Sequence, residues 1–505
     1  MKEYLVTILP GEQVVSVPEG TGLLSVLRDL GLAPDSPCGG RGTCGKCRVL
    51  VNGEPELACQ KTVEENMTVL LSEKISGEQI LSRGIYTETA LAPVRQGKHH
   101  LAYDIGTTTV VCYLLDGQTG KELACHSKSN PQRQFGADVV SRIRHAQQGG
   151  QEQLTEAIRS CMTELAASVC AKAGAEPAGI GVVSVVGNPC MQQLFLGIST
   201  ENLAALPFTP VLTKARVEEA KEYLPLCPNA ALLTVPDISG YVGGDTMACL
   251  LANRQYAREE RVLMVDIGTN GEMVLGNAHA MTACATAAGP ALEGAMIHFG
   301  MRGAEGAIDR VWLENGEIQC HVIGEGPARG ICGSGLIDAA AAMLQTGAIN
   351  SRGRIQSAGD LPELAHRLAE LEGMRIFRLR DGVYLTQQDI RELQLAKGAI
   401  AAGIQLMAES MNLALEDIQE VQLAGAFGTA IRPESAARIG LIPPVLVDRI
   451  RGIGNAAGSG AKLLALNREE LARTDTLVQE IRGLNLASLE DFQDVFVENM
   501  LFPEE

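Results

Sequence analysis

No stretch of 18 uninterrupted apolar residues occurs anywhere in this 505-residue chain, so no transmembrane helix is expected. The opening "MKEYLVTILPGEQVV" also has no apolar core of signal-peptide length before Pro10, which points to a cytoplasmic protein. Basic residues are in deficit: 42 Lys and Arg stand against 60 Asp and Glu, a formal charge of −18. That balance argues against general binding to nucleic acid or to an anionic membrane, and it identifies no other partner. Without an export signal, the 14 cysteines are not expected to form disulfides. Cys112, Cys161, Cys170 and Cys249 lie among apolar neighbours and read as small buried hydrophobes. The 46% apolar and 20% charged content is that of an ordinary globular protein, and the length implies two to four domains.

Four cysteines are different. Cys38, Cys44, Cys47 and Cys59 crowd together with the spacing C-x5-C-x2-C-x11-C. The loop "PCGGRGTCGKC" superficially fits two nucleotide motifs, since Gly40, Gly42 and Gly45 match G-x-G-x-x-G, and Gly40, Gly45 and Lys46 match the start of a P-loop. The phosphate reading fails because Cys47 stands where a P-loop needs Ser or Thr, and because the loop does not join a strand to an amphipathic helix. All-thiolate metal sites are zinc or iron–sulfur. Zinc ribbons and knuckles usually have two C-x2-C pairs, and only Cys44 and Cys47 form one here. A long glycine-rich first gap suits a bulky charged cluster, whose sulfides need nearby amide donors. The sequence therefore favours [2Fe–2S], with zinc as the alternative.

The flanks agree with a small α+β module. "YLVTIL" and "QVVSV" around the turn "PGE" read as a hairpin, and "TGLLSVLRDLGL" as a helix whose stripe is Leu23, Leu24, Val26, Leu27 and Leu30, stopped by Gly31. "CRVLVNGEPELAC" makes a strand, an Asn-Gly turn and a return, and "MTVLL" a last strand. This order resembles the β-grasp [2Fe–2S] ferredoxin, in the variant with a short final cysteine gap. The module is expected to span residues 1–75. Residues 76–98 read as a linker, either a flexible arm or a surface strap, with His99 and His100 as solvated residues at its end.

Beyond the linker the chain repeats itself. "LAYDIGTTTVVCYLLDGQTGKELA" at 101 is echoed by "LMVDIGTNGEMVLGNAHAMTA" at 263, each a strand, an Asp-Ile-Gly-Thr turn and two further strands. Two copies about 160 residues apart predict two related lobes facing across a cleft, within residues 99–505, the second starting near 261. Gly106 and Gly268 let turn amides approach phosphate, and the hydroxyls of Thr107, Thr108, Thr109 and Thr269 add donors. Asp104 and Asp266, at strand ends, are placed to hold Mg2+ through water or to orient an attacking water. "GICGSGLIDAAAAML" offers a helix start with Ser334 at its N-cap, and "VQLAGAFGTAI" and "GIGNAAGSGAKLLAL" are small-residue turns. "NPQRQFGADVVSRI" reads either as a ligand-facing loop or as helix capping, and His298 as a buried histidine. "DFQDVFVENMLFP" reads as a helix docking its Phe and Val face.

The two turns with the late G-S-G and G-A-F-G segments resemble the ASKHA superfamily of actin, heat-shock chaperones and acetate and sugar kinases. The resemblance implies an α/β fold of duplicated ribonuclease H-like lobes around a nucleotide cleft. Adding the cysteine loop and "GNPCMQQLFLGI", "GYVGGDTMA", "AAGPALEGAMI" and "GICGSGLID", nearly the whole chain resembles the reductive activators of corrinoid proteins. These return cobalt(II) corrinoid to the cobalt(I) that methyltransferases need. The resemblance implies Cys38, Cys44, Cys47 and Cys59 as ligands of a [2Fe–2S] cluster, and ATP and Mg2+ as further cofactors. It implies a first phosphate turn of Asp104, Gly106 and Thr107 to Thr109, and a second of Asp266, Gly268, Thr269, Asn270 and Gly271. Gly333, Ser334 and Gly335, and Gly425, Ala426 and Gly428, would line the nucleotide more loosely. Asp104 and Asp266 are the candidates for catalysis, with Glu272 weaker. Expected partners are a corrinoid protein of a methyltransferase system and an upstream low-potential electron donor; relatives in the superfamily often form homodimers. Longer members insert a small domain between the two parts, and this chain has only its linker. The competing readings are an ATP-driven donor to another low-potential acceptor such as a dehydratase or reductase (Cys332 beside Gly333 faintly resembles that group's cluster site), a small-molecule kinase with a fused redox sensor, and a chaperone-like binding module.

Overall fold

The computed structural model describes residues 2–9, 13–30, 32–34, 36, 40–42, 47–71 and 84–504, except the side chains of Ala426 and Phe427. The expected turn at Pro10–Glu12, the helix stop at Gly31 and two of the four loop cysteines, Cys38 and Cys44, lie outside the described residues.

The first unit is built as its alternation implies. Strands β1 (Glu3–Leu9) and β2 (Gln13–Pro18) are antiparallel, and helix α1 (Leu23–Asp29) buries Leu23, Leu24, Val26 and Leu27. Strands β3 (Arg48–Val51) and β4 (Glu54–Leu57) are joined by Asn52 and Gly53, whose positive φ values of 52° and 89° are those an Asn-Gly hairpin turn requires. Strand β5 (Met67–Leu70) inserts parallel to β1, giving the order β2-β1-β5-β3-β4 of a β-grasp sheet.

The duplication appears as two sheets of the same design. The first has β6 (His99–Ile105), β7 (Thr109–Asp116) and β8 (Glu122–Ser129), then helices α2 (Val139–His145) and α3 (Gln151–Ala173). Strand β9 (Ile180–Gly187) follows, then α4 (Pro189–Leu196), β10 (Arg216–Glu219), β11 (Ala231–Thr234) and α5 (Gly244–Asn253). The second begins with β12 (Val262–Ile267), β13 (Gly271–Gly276) and β14 (Met281–Thr286). Inserted elements come next: β15 (Ala307–Glu314), β16 (Glu317–Val322), β17 (Gly330–Ile331), α6 (Gly333–Gln345), β18 (Leu368–Leu371), β19 (Met374–Arg380) and β20 (Val383–Thr386). Helix α7 (Gln387–Ser410) leads to β21 (Glu420–Ala424), α8 (Gly425–Gly428), α9 (Pro433–Arg438) and β22 (Ile450–Gly454). The chain ends with α10 (Ala456–Leu466), α11 (Arg468–Glu480), β23 (Ile481–Gly483) and α12 (Phe492–Met500). The sheet orders are β10-β11-β9-β6-β7-β8 and β22-β21-β12-β13-β14-β23. In each, an antiparallel three-strand meander is extended on its first strand by two parallel strands, which is the ribonuclease H-like repeat of an ASKHA fold.

Helices α5 and α10 lie between the sheets. One hydrophobic cluster takes Val111 and Tyr113 from the first sheet, Met264 and Val274 from the second, and Met247 to Leu251, Ala461, Leu463 and Leu464 from the two helices. The helices approach so closely that a Cβ on Gly460 would sit 2.0 Å from the Ala248 carbonyl oxygen. Residues 84–98 are the strap alternative: Gly84 bridges Gly454, Ala92 bridges Asn467, and Arg95 pairs with Glu219 at 2.7 Å. His99 and His100 are not solvated but open β6, because the strand's apolar run draws them in; His100 is wholly buried and burial lowers its pKa to about 4. Helix α12 docks on α7 with Phe492 and Val495 against the core, as its sequence implies.

Gly460→Ala is expected to part α5 from α10, costing about 1–3 kcal/mol and lowering the thermal midpoint by several degrees. Calorimetry checks this, and an unchanged midpoint would mean that the close approach stabilises nothing.

Candidate functional site

The repeat places two strand-to-turn corners face to face. In the first, Gly106 N–H donates to the Thr109 carbonyl at 2.9 Å, and a side chain on Gly106 would meet that same oxygen at 2.7 Å, so the turn is closed to any residue but glycine. The turn is then held from behind. Asn130 donates its side-chain amide to the Gly106 carbonyl (2.9 Å) and its backbone N–H to the Thr108 carbonyl (2.8 Å). Asn188 donates to the Thr107 hydroxyl (3.1 Å), and Arg142 to the Thr107 carbonyl (2.5 Å). In the second corner Gly268 N–H donates to the Asn270 carbonyl at 3.0 Å.

Side chains from the second lobe cross to the first. The Thr108 hydroxyl donates to Glu293 and lies 3.4 Å from the Thr269 hydroxyl. Arg302 donates to the Ser129 hydroxyl (2.8 Å) and to the Thr108 carbonyl (3.3 Å). The cleft between the corners has a volume of about 800 Å3, and its walls include both turns, Asp104, Asp245, Asp266, Glu272, Glu293, Ser334, Gly425 and Asn455.

Burial, joined by like charge for three of them, raises the proton affinity of four carboxyls in the cleft, Asp104, Asp245, Asp266 and Glu272. Burial pushes Asp104 up to about 6, against a 2.8 Å hydrogen bond from the Asn455 amide. Burial and then the Asp104 charge push Asp245 up to about 7, and burial followed by Asp245 and Asp104 does the same for Asp266. Glu272 stands directly opposite Asp266 in the β12–β13 register and is raised well above the usual carboxylate range, by burial first and then by Asp245 and Asp266. A Cβ on Gly425, which has φ +85°, would lie 2.6 Å from an Asp266 oxygen, so this glycine makes room for the carboxylate. Among the described residues no three His, Cys, Asp or Glu side chains converge as a direct metal cage.

Most residues expected at the site line this cleft: Asp104, Gly106, Thr107, Thr108, Thr109, Asp266, Gly268, Thr269, Asn270, Gly333, Ser334 and Gly425. Gly271, Gly335 and Gly428 do not. Each is a packing glycine, whose Cβ would strike the Thr286 hydroxyl, the Ile308 carbonyl or the Leu423 carbonyl at 2.8, 2.2 and 2.8 Å. The Ala426 side chain lies outside the described residues. Ser334 is not the N-cap of α6; Cys332 is, and the Ser334 hydroxyl turns back to the Asp309 carbonyl at 3.0 Å. "NPQRQF" proves to be capping, since Asn130 caps the turn at Pro131–Gln134 and Asp138 caps α2. His298 is exposed, not buried, and stacks on Tyr384 with ring centroids 5.3 Å apart. The residues that sequence reasoning missed (Asn188, Asp245, Glu293, Arg302 and Asn455) come from helix starts and loops far along the chain. The local signals were the Asn-Pro of "GNPC", the paired glycines before Asp245, and the segments "AAGPALEGAMI" and "GIGNAAGSGAKLLAL", which hold Glu293 and Asn455.

In the cysteine loop, Cys47 is buried and Cys59 half-buried. Gly40 and Gly42 have φ of +87° and +77°, and Gln60 donates to the Gly40 carbonyl (3.1 Å) and towards the Cys59 sulfur (3.6 Å). Arg28 is lowered by burial but held up by the charges of Cys59 and Cys47 beside it. Positive φ at the glycines, N–H donors facing sulfur and a nearby cation suit thiolates that share a charged iron–sulfur group.

The cleft carboxylates give a pH signature. Folding raises Asp245 and Asp266 above the ordinary carboxylate range, so the folded state holds more protons than the unfolded chain from about pH 4 to about 7. Stability of the nucleotide-free protein is therefore expected to fall through that window and level off above it. Asp266→Asn should flatten the fall and be more stable than wild type at pH 8 by about 1–2 kcal/mol, discounted for its opening to the cleft. Urea unfolding of both proteins from pH 5 to 8.5 checks this; equal stabilities at pH 8 would contradict it.

Comparisons with known proteins agree with this geometry. Three family models match in order: a 2Fe-2S iron–sulfur cluster binding domain over residues 6–70, the RACo middle region over 99–257, and the C-terminal ASKHA domain of RACo over 260–505. The chain is 31% identical to the corrinoid activation enzyme RamQ of Eubacterium limosum, covering 97% of this chain and 98% of that one. It is 28% identical to the [Co(II) methylated amine-specific corrinoid protein] reductase of Methanosarcina barkeri over 62% of this chain and 61% of the relative. A solved structure of a reductive activator for corrinoid, iron–sulfur protein matches over 99% of both chains, with a TM-score of 0.75 and 29% identity. With a β-grasp unit carrying cysteines, duplicated lobes and a cleft between them, the chain belongs to the RACo family, to which RamQ is also related.

Proposed function

We propose that this protein is an ATP-dependent reductive activator of corrinoid proteins, passing one electron to a cobalt(II) corrinoid and so giving cobalt(I) for methyl transfer. The observation that carries the reading is the union in one chain of a thiolate loop on a β-grasp unit with a two-lobed cleft whose phosphate-type turns come from both lobes. The names of its relatives, a corrinoid activation enzyme and a cobalt(II) corrinoid protein reductase, point the same way. When bound, the cluster would supply one electron at a time, and ATP would supply the free energy where that transfer runs uphill. An upstream low-potential donor would then return the electron to the cluster.

The roles follow from the arrangement. Cys38, Cys44, Cys47 and Cys59 are the cluster ligands, within a module of residues 1–75 tethered by 76–98 to the ATPase of 99–505. The amides and hydroxyls of Thr107 to Thr109 and of Thr269 and Asn270, set by the turns at Gly106 and Gly268, hold the phosphates from opposite sides. Among the described residues no three side chains form a direct cage, so Asp104, Asp245 and Asp266 would hold a Mg2+ ion through water. A divalent ion there would also draw these carboxyls back to their ionised forms, relieving the repulsion that burial enforces. Each 59 mV of mismatch costs about tenfold in a one-electron equilibrium. Closing the lobes around a nucleotide offers a way to favour one state of the corrinoid partner over another.

An anaerobic absorbance time course with a cobalt(II) corrinoid protein and the chemically reduced chain is expected to show cobalt(I) only when Mg-ATP is added. Asp266→Ala should lower that ATP-driven rate at least about 100-fold and leave the visible spectrum of the cluster intact. ATP-independent reduction, or normal turnover in the variant, would overturn the reading or the role of Asp266 respectively.

A further inference from the structure

Arg142 is the largest fully buried side chain among the described residues, with 0% exposure, and it sits directly behind the first phosphate-type turn. Its guanidinium donates to the Gly136 carbonyl (3.0 Å), the Gln132 side-chain oxygen (3.2 Å), the Met191 sulfur (3.1 Å) and the Thr107 carbonyl (2.5 Å). Every one of these acceptors is neutral. Burial draws its pKa down only to about 10, so the group is charged at neutral pH.

A buried cation with only neutral partners is an expensive arrangement unless a negative charge stands near it. The nearby acids are otherwise committed. Asp138 caps α2 through the Ser141 N–H, and Glu293, which helps to hold Arg142 protonated, belongs to the other lobe and accepts from the Thr108 hydroxyl. The link to the cleft is the Thr107–Thr108 peptide. Arg142 binds its carbonyl, and a trans peptide points its N–H the opposite way, on the side where Thr108 lines the cleft. A cation on the carbonyl strengthens that N–H as a donor to an anion.

We propose that Arg142 is a positioning residue that serves as the buried counter-charge for the nucleotide's polyphosphate, acting through the Thr107–Thr108 peptide without touching the ligand. Glu293 takes the anion's place at the same turn while the nucleotide is absent. This rests on the reading of the cleft as a nucleotide site. It explains why "SRIRH" carries an arginine on the face of α2 that enters the core, where an apolar residue would otherwise belong.

Calorimetric titration of the full chain with ATP, ADP and adenosine, in Mg2+, tests it with Arg142→Gln and Arg142→Lys. One unit of charge at a separation of several ångströms and an effective dielectric near 20 corresponds to about 10- to 100-fold in affinity. Arg142→Gln is expected to weaken ATP and ADP by that factor and adenosine by less than about threefold, while Arg142→Lys keeps the wild-type ratio of ATP to adenosine affinity. A strut without an electrostatic role would weaken all three ligands alike in both variants, and that result, or an unchanged Gln variant, overturns the proposal. If the Gln variant does not fold, the Lys ratio decides alone: a ratio that falls with the lost fork geometry overturns it. A wild-type protein that binds none of the ligands would overturn the nucleotide reading, and this proposal with it.

Discussion

Like charge brought to one place by a repeated strand corner is the constraint on which the rest of this structure depends. Each copy of Asp-Ile-Gly-Thr places an aspartate one residue before the end of a strand and turns sharply on a glycine, so the two related lobes bring Asp104 and Asp266 to a shared space. Asp245 and Glu272 add to the same charge. In low dielectric such groups cannot all ionise without a cation, and the protein answers locally. Asn455 donates to Asp104, Gly425 gives Asp266 room, and burial shifts the carboxyls towards the neutral form. The lobes must still be held together against this repulsion. That falls to apolar packing, with α5 and α10 in contact through small residues and both sheets in one hydrophobic cluster.

How much of this the sequence disclosed follows the range of the interactions. Hairpins, the Asn-Gly turn, the helix stripe of α1 and the duplicated corners are local patterns, and they stand where the pattern put them. The cleft was legible only in its two turns, since those are contiguous residues with a repeated spelling. Asn188, Glu293 and Asn455 complete the same site from 81, 185 and 351 positions away from their partners Thr107, Thr108 and Asp104, and no periodicity links them. Burial of single polar residues was the least readable property. His100, at the end of a polar stretch and read as solvated, went inside with its strand, and His298, among apolar residues and read as buried, stayed outside on Tyr384. Glycines posed a similar ambiguity: Gly425 serves a carboxylate, while Gly335 and Gly428 only let backbones approach.

Two modules that exchange energy and electrons must also meet a common partner, and the chain between them bounds how they can. Residues 84–98 are tied down by backbone bridges at Gly84 and Ala92 and by the Arg95–Glu219 pair, so this half of the apparent linker adds nothing to the reach. Thirteen residues, 71 to 83, separate β5 from the strap, and fully extended they span at most about 45 Å. The alignment with RamQ runs over 584 positions, more than this chain has, so that relative carries segments without a counterpart here. A shorter relative of a longer machine has fewer ways to carry its cysteines to a distant target. The corrinoid partner must therefore approach within the radius this tether allows.

The same economy of charge governs the first phosphate turn. Its front offers hydroxyls and amides to an anion, and its back is braced by Asn130, Asn188 and Arg142, of which only the last is charged. A surface lysine would attract phosphate from outside, but it would be screened by solvent and opposed by the carboxylates of the cleft. A guanidinium behind the turn is shielded from water and touches none of those acids, so its hydrogen-bonded path to the ligand runs through one peptide. Polar bracing alone would fix the shape of the turn. Placing a full charge in the brace lets the turn distinguish an anion from a neutral ligand of the same shape, in a cleft whose own carboxylates would otherwise repel it.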